Sequence, residues 1–219
     1  MSKPYKLLVF DWDGTLMDSQ AEIISCFQSA AKDLAREVPS TAAIRDIIGL
    51  GMKEAIMQLF PGISEETDVQ EVIAAYRHHY FSEDKISSEL FNGIMTMFEQ
   101  LAEQDVFLAV ATSKGRRGLD LALQRTGLNT VFHVTRCIDE AQSKPHPQML
   151  LDIIDYTGVD ARETLMIGDT EYDLLMARNA ASDGLGVCCG AHERQRLLAC
   201  EPVACLEHTT DIVHWLANK

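Results

Sequence analysis

Short apolar runs alternate with amphipathic stretches along most of this 219-residue chain, and that alternation constrains its architecture more than any other feature. The clearest runs are Tyr5–Phe10, Val106–Ala111, Thr164–Ile167 and Leu185–Cys189, with Val131–Thr135 and Pro202–Leu206 weaker. Each is too short for a buried helix and reads as a strand. Between them, residues 93–103, 116–126, 147–157, 171–181, 193–199 and 209–217 carry apolar positions at helical spacing. Strands that alternate with helices form a parallel sheet, because a parallel connection needs a crossover and a helix supplies it. The predicted fold class is α/β, with a Rossmann-like doubly wound parallel sheet covered by helices on both faces.

Residues 17–86 break the alternation. Ile23, Phe27, Ala30 and Leu34 recur at helical spacing, and Pro39-Ser40 then offers a stop and a new N-cap. Ile44, Ile47 and Ile48 mark a short helix that ends at Gly49, and Met52 to Phe60 reads as another, stopped by Pro61-Gly62. Val69, Val72, Ile73, Tyr76 and Tyr80 make a fourth. The organisation expected is an α/β core from 1–16 and 87–219, with an all-helical cap from 17–86 inserted after the first strand. An insert there overhangs the carboxyl edge of the sheet, where ligands bind in open α/β folds.

The net charge of −14 opposes nucleic acid and anionic membrane surfaces as partners, since both need a basic footprint. An anionic small substrate would need a metal and local lysines to reverse the field. No window approaches the length of a membrane span, and the first apolar run meets Asp11 too soon for a secretory signal. The six cysteines, Cys26, Cys137, Cys188, Cys189, Cys200 and Cys205, form no C-x-x-C pair, so they are expected to be reduced thiols, mostly in the core, and not zinc ligands. The location expected is cytoplasmic, as a monomer or small homo-oligomer.

Polar groups gather at four strand or loop ends. In Phe10-Asp11-Trp12-Asp13-Gly14-Thr15, two acids would face the same way if strand geometry persists. Like charges that close need a cation or a proton between them, although an ordinary Asp-Gly turn is the alternative. Thr112-Ser113 follows the second strong run and suits phosphate oxygens, or a plain N-cap. Lys144 stands in the rigid loop Ser143-Lys144-Pro145-His146-Pro147 at a helix start, where a cation opposes the helix dipole and calls for an anion. Gly168-Asp169-Thr170-Glu171-Tyr172-Asp173 ends a strand with hard oxygen donors that suit Mg²⁺, or that simply complement a helix N-terminus.

Taken in order, these clusters strongly resemble the haloacid dehalogenase superfamily of phosphohydrolases over essentially the whole chain. Asp11-Trp12-Asp13-Gly14-Thr15 matches the first motif, Thr112 the second, Lys144 the third, and Gly168-Asp169-Thr170 with Asp173 the fourth. Arg77-His78-His79-Tyr80 and Leu90-Phe91-Asn92-Gly93-Ile94 resemble the branch with a helical cap that includes phosphoglycolate phosphatase-like enzymes. The resemblance implies a Mg²⁺-dependent phosphatase of a small phosphorylated metabolite. Asp11 would be the nucleophile and Asp13 the general acid and base, with Thr112 and Lys144 as the further catalytic residues. Mg²⁺ would be held by Asp11, the backbone carbonyl of Asp13, and Asp169, with Asp173 bracing the site. Gly14 and Ser113 would contact the substrate, and Lys53 in the cap loop is a candidate for a substrate carboxylate or second phosphate.

A phosphosugar mutase or a pyrophosphatase of the same superfamily is the alternative, and a non-catalytic binding module a third. Ile23 and Met52 stand where mutase-like members carry a histidine and an arginine, which argues against the mutase. Two further departures are visible. Trp12 between the acids either packs under the cap or restricts the leaving group, and Ala181 replaces a glycine common among relatives, with a local loop effect expected.

Overall fold

The computed structural model describes residues 5–63, 65–83 and 86–219. The core is a six-stranded parallel sheet in the order β5-β4-β1-β6-β7-β8. These strands are β1 (Leu7–Phe10), β4 (Phe107–Thr112), β5 (Val134–Cys137), β6 (Thr164–Gly168), β7 (Asp183–Val187) and β8 (Ala204–Leu206). A short antiparallel pair, β2 (Met17–Asp18) and β3 (Glu89–Leu90), lies apart from them.

Side-chain alternation along β1 builds two cores. Leu8 and Phe10 join Leu108, Val110, Leu165 and Ile167 under α5 (Ile94–Ala102), α6 (Arg116–Thr126) and α10 (Ile212–Ala217). Leu7 and Val9 join Ala109, Ala111 and Met166 under α7 (Gln148–Thr157) and α8 (Glu171–Asn179). Both faces are therefore covered, which is why these strands read as continuous apolar runs. The chain leaves β1 toward β4 on one side and returns to β6 on the other. The carboxyl end of β1 is thus a topological switch point, where the loops on either side part and leave a crevice.

Four helices follow β2: α1 (Gln20–Asp33), α2 (Thr41–Ile47), α3 (Met52–Leu59) and α4 (Glu66–Tyr80). They bury their own apolar cluster, including Phe27, Ala30, Ile44, Ile56, Val72 and Tyr76. The β2–β3 ribbon closes the base of this unit, pairing Met17 with Leu90 and Asp18 with Glu89. Among the described residues, no helix is long and apolar enough to cross a membrane.

Two local expectations differ, at the fifth strand and at the cysteines. The weak run at Val131–Thr135 pairs only from Val134, opposite Ala109. Val131 and Phe132 instead pack sideways against the core as the chain leaves α6. Of the cysteines, Cys26 and Cys137 are buried and the other four only half-buried. Ala181 carries φ +57°, a left-handed conformation that costs an L residue about 1–2 kcal/mol. It closes the end of α8, donating its N–H to the Arg178 carbonyl. Glycine adopts that conformation freely but loses more entropy on folding. Ala181→Gly is expected to stabilise the protein by about 0.5–1 kcal/mol, read as a higher urea midpoint at unchanged slope.

Candidate active site

The strand β1 ends at Phe10, so strand alternation does not align the two acids. The chain turns there, with the Leu16 and Met17 N–H groups donating to the Trp12 carbonyl and Gly14 at φ +82°. A Cβ on Gly14 would lie 2.3 Å from an Asp169 carboxylate oxygen, so only glycine fits beneath that acid. The turn separates Asp11 and Asp13 onto two lysines.

Asp11 is buried and accepts a hydrogen bond at Oδ1 from Lys144 Nζ at 2.7 Å. The same ammonium donates to Asp173 Oδ1 at 2.6 Å. Asp173 also caps α8 through Oδ2, which accepts from the Thr170 N–H and hydroxyl. Asp169 accepts from the Thr15 hydroxyl at 2.8 Å and from the Ala191 N–H at 2.7 Å. Asp11, Asp169 and Asp173 each place a carboxylate oxygen within 4.8 Å of the others. Among the described residues they are the one such group of acids, histidines and cysteines.

Three buried carboxylates against one ammonium leave two negative charges without a partner. Burial and then Asp173 push the Asp169 carboxyl up to about 7, against the hydrogen bonds it accepts. Burial likewise raises Asp11 well above its ordinary value, and Lys144 offsets only part of that rise. Burial works against the charge on Lys144, and Asp11 with Asp173 outweighs it, so the ammonium is retained. The donor set is hard oxygen in an enclosed space, with a deficit of two charges, and it fits a divalent cation such as Mg²⁺.

Asp13 faces the other way. Its Oδ2 pairs with Lys114 Nζ at 2.9 Å, while its buried Oδ1 has no hydrogen-bond partner among the described residues. Lys114 is half-buried beside it and lies 4.9 Å from the centre of the Tyr80 ring on α4. Burial opposes the Lys114 charge, and Asp13 outweighs it. The sequence reading missed Lys114; its only local signal is its place two residues after Thr112.

A cavity of about 330 Å³ opens above Asp11 and Asp13, lined by Thr112, Ser113, Lys114 and the helical insert. Thr112 is buried and accepts at its hydroxyl from the Lys114 N–H. The loop Gly49–Gly51 sits directly on this floor. The Ser113 hydroxyl donates to the Gly49 carbonyl at 2.6 Å, and the Gly51 N–H donates to Ser143 Oγ at 2.8 Å. Asp46, just before that loop, is fastened to Arg196 by its carboxylate and to the Tyr172 hydroxyl by its carbonyl. Nothing in the sequence pattern pointed to this clasp.

The remaining candidates lie elsewhere. Lys53 is exposed on α3 and pairs with Glu66 at 2.6 Å, away from the cavity lining. His79 pairs with Asp33 at 2.7 Å on the insert. Trp12 is fully buried, edge-on to Phe132 with ring centres 6.4 Å apart, and does not line this cavity. Its bulk anchors the turn in the core below α5.

The sequence pattern of the haloacid dehalogenase-like hydrolases matches residues 8–187. The chain belongs to that family. It is 35% identical over 94% of its length to "Probable phosphatase IndB" of Dickeya dadantii, covering 91% of that protein. A phosphoglycolate phosphatase of Agrobacterium fabrum is 29% identical over 84% of this chain and 81% of its own. The pyrophosphatase PpaX of Bacillus cereus is 27% identical over 96% of each. The fold superposes on a haloacid dehalogenase-like hydrolase from Bacteroides fragilis with a TM-score of 0.88, at 23% identity, covering 95% of this chain and 99% of that one.

Because Asp169 holds its proton more tightly folded than unfolded, its contribution to stability is present below about pH 4 and is lost as pH rises through about 7. A divalent cation competes with that proton. The rise in Tm on adding Mg²⁺ to chelator-treated protein is therefore expected to be larger at pH 8 than at pH 5.5. Calorimetry at the two pH values checks this, and an equal or reversed increment contradicts the charge assignment.

Proposed function

We propose that the protein is a Mg²⁺-dependent phosphatase that hydrolyses a small phosphorylated metabolite through an aspartyl-phosphate on Asp11. The observation that carries this reading is the division of labour within the opening turn. Asp11 accepts a hydrogen bond from Lys144, and Asp13 pairs with Lys114 at the floor of the same cavity. The names of the relatives share the release of phosphate, which supports the class of reaction.

Lys144 occupies Oδ1 of Asp11, leaving Oδ2 to attack phosphorus. As that bond forms, the bond from phosphorus to the leaving oxygen breaks, and protonated Asp13 gives its proton to that oxygen. Water then attacks the phosphorus, Asp13 takes a proton from it, and the bond to Asp11 breaks to release inorganic phosphate. Thr112 and the N–H groups after β4 line the place for the phosphoryl oxygens. Asp11, Asp169 and the Asp13 carbonyl would hold Mg²⁺, braced by Asp173. The ion would supply the positive charge that lets an anionic nucleophile meet an anionic ester. Gly14 keeps the turn open beneath Asp169. The insert acts as a cap that excludes water, and its clasp at Asp46 holds it closed over the catalytic floor.

Asp11→Asn is expected to abolish phosphate release from p-nitrophenyl phosphate while leaving the circular dichroism unchanged. Lys144→Ala should lower kcat on the order of 10²–10³-fold. Its stability needs separate measurement, since unpairing buried carboxylates costs about 3–5 kcal/mol. Activity of Asp11→Asn within a few-fold of the wild type would sink the assignment.

Lys114→Met keeps the packing against Tyr80 and Gly118 but frees the Asp13 carboxylate. It should cost about tenfold or more on alkyl phosphates, whose leaving oxygen needs the proton, and less on p-nitrophenyl phosphate. Steady-state rates on the two ester types check this, and equal losses on both would remove Lys114 from that role.

A further inference from the structure

In the proposed reaction the phosphoryl end would occupy only the floor of the cavity. Its walls come from the cap and are largely apolar: Ile23 and Phe27 of α1, Ile48 and Leu50 of the docked loop, Met52 of α3 and the ring of Tyr76 on α4. Phe27 and Tyr76 form one aromatic face, with ring centres 4.7 Å apart. Lys114 is committed to Asp13, and Lys53 to Glu66 outside. The other cations at the lining, Arg77 and Arg117, are both exposed, and Arg117 stacks on Phe81 with 4.3 Å from its guanidinium to the ring centre. On the open side of an acidic chain, they suit steering of an anionic ester inward.

From this lining we infer that the leaving group is a bulky, largely apolar alcohol, of ring or long-alkyl size, and neither a two-carbon acid nor phosphate. The inference rests on the phosphatase reading above and narrows its substrate class. About 330 Å³ lies within the usual range for a small-molecule site of about 300–1,000 Å³. A carboxylate or a leaving phosphate set against Phe27, Ile48 and Met52 would lose its hydration and gain no hydrogen bond from those side chains. A hydrocarbon body gains with each methylene buried, about fourfold per group at the usual transfer energy.

The test is a series of primary alkyl monophosphates with Mg²⁺: ethyl, butyl, hexyl and 2-phenylethyl phosphate. Their leaving alcohols have similar acidity, so differences in kcat/KM report on the pocket. The hexyl and 2-phenylethyl esters are expected to exceed ethyl phosphate by at least about tenfold, with 2-phosphoglycolate and pyrophosphate no better than ethyl phosphate. Met52→Asp should reduce the hexyl-to-ethyl ratio several-fold, and Leu50→Asn serves the same purpose should the first variant fold poorly. Partial unfolding lowers both rates together and leaves the ratio where it was, so an unchanged ratio in a folded variant overturns the inference. So does a flat series, or a preference for 2-phosphoglycolate or pyrophosphate. Phosphate release from no ester, p-nitrophenyl phosphate included, would overturn the phosphatase reading itself and this inference with it.

Discussion

The buried ammonium of Lys144 is the contact on which the rest of the site depends. It reaches Asp11 from the end of β1 and Asp173 from the start of α8, and so ties together segments far apart in sequence. An unpaired lysine at that depth would lose its proton or unfold its surroundings. Two carboxylates reverse that preference, and their own closeness is tolerable only because the lysine is there. The third acid, Asp169, is then in excess, and its raised pKa registers the electrostatic deficit that a divalent cation would fill. Catalytic potential and local instability are in this sense the same feature.

The second lysine divides the work. Lys114 takes one oxygen of Asp13 and leaves the other buried without a hydrogen-bond partner among the described residues. Through Tyr80 it also touches the last turn of α4, so the Asp13–Lys114 pair is in contact with the helical insert. The cap itself is bound to the floor by backbone and hydroxyl groups of Gly49, Gly51, Ser113 and Ser143. Those contacts do not depend on the identity of the cap's apolar side chains. Such an arrangement lets the walls vary while the position of the insert over Asp11 is kept.

Much of the fold was legible because parallel strands covered on both faces leave continuous apolar runs, and these set the order of elements. Register and edges were less so. The strand before α7 starts at Val134 because Val131 and Phe132 find packing partners off the sheet. At the site, residues placed by the backbone at strand ends, Asp11, Thr112 and Asp169, could be read from their position after apolar runs. Residues placed by long side chains could not. Lys114 and Lys53 are both lysines near suggestive loops, yet one turns inward to Asp13 and the other outward to Glu66. Only the three-dimensional partners decide between them. Trp12 was ambiguous for the same reason, since the turn that follows Phe10 sends the indole into the core.

The central claim is that the opening turn supplies a nucleophile at Asp11 and a separate proton carrier at Asp13. Rapid acid quench of the enzyme with a radiolabelled phosphate ester and Mg²⁺, followed by peptide mapping, tests it most directly. The account predicts a hydroxylamine-sensitive phosphoryl group on the peptide containing Asp11, formed fast enough to lie on the path to phosphate. A phosphoryl group on any other side chain, or steady turnover by an Asp11→Asn protein without labelling, would contradict it.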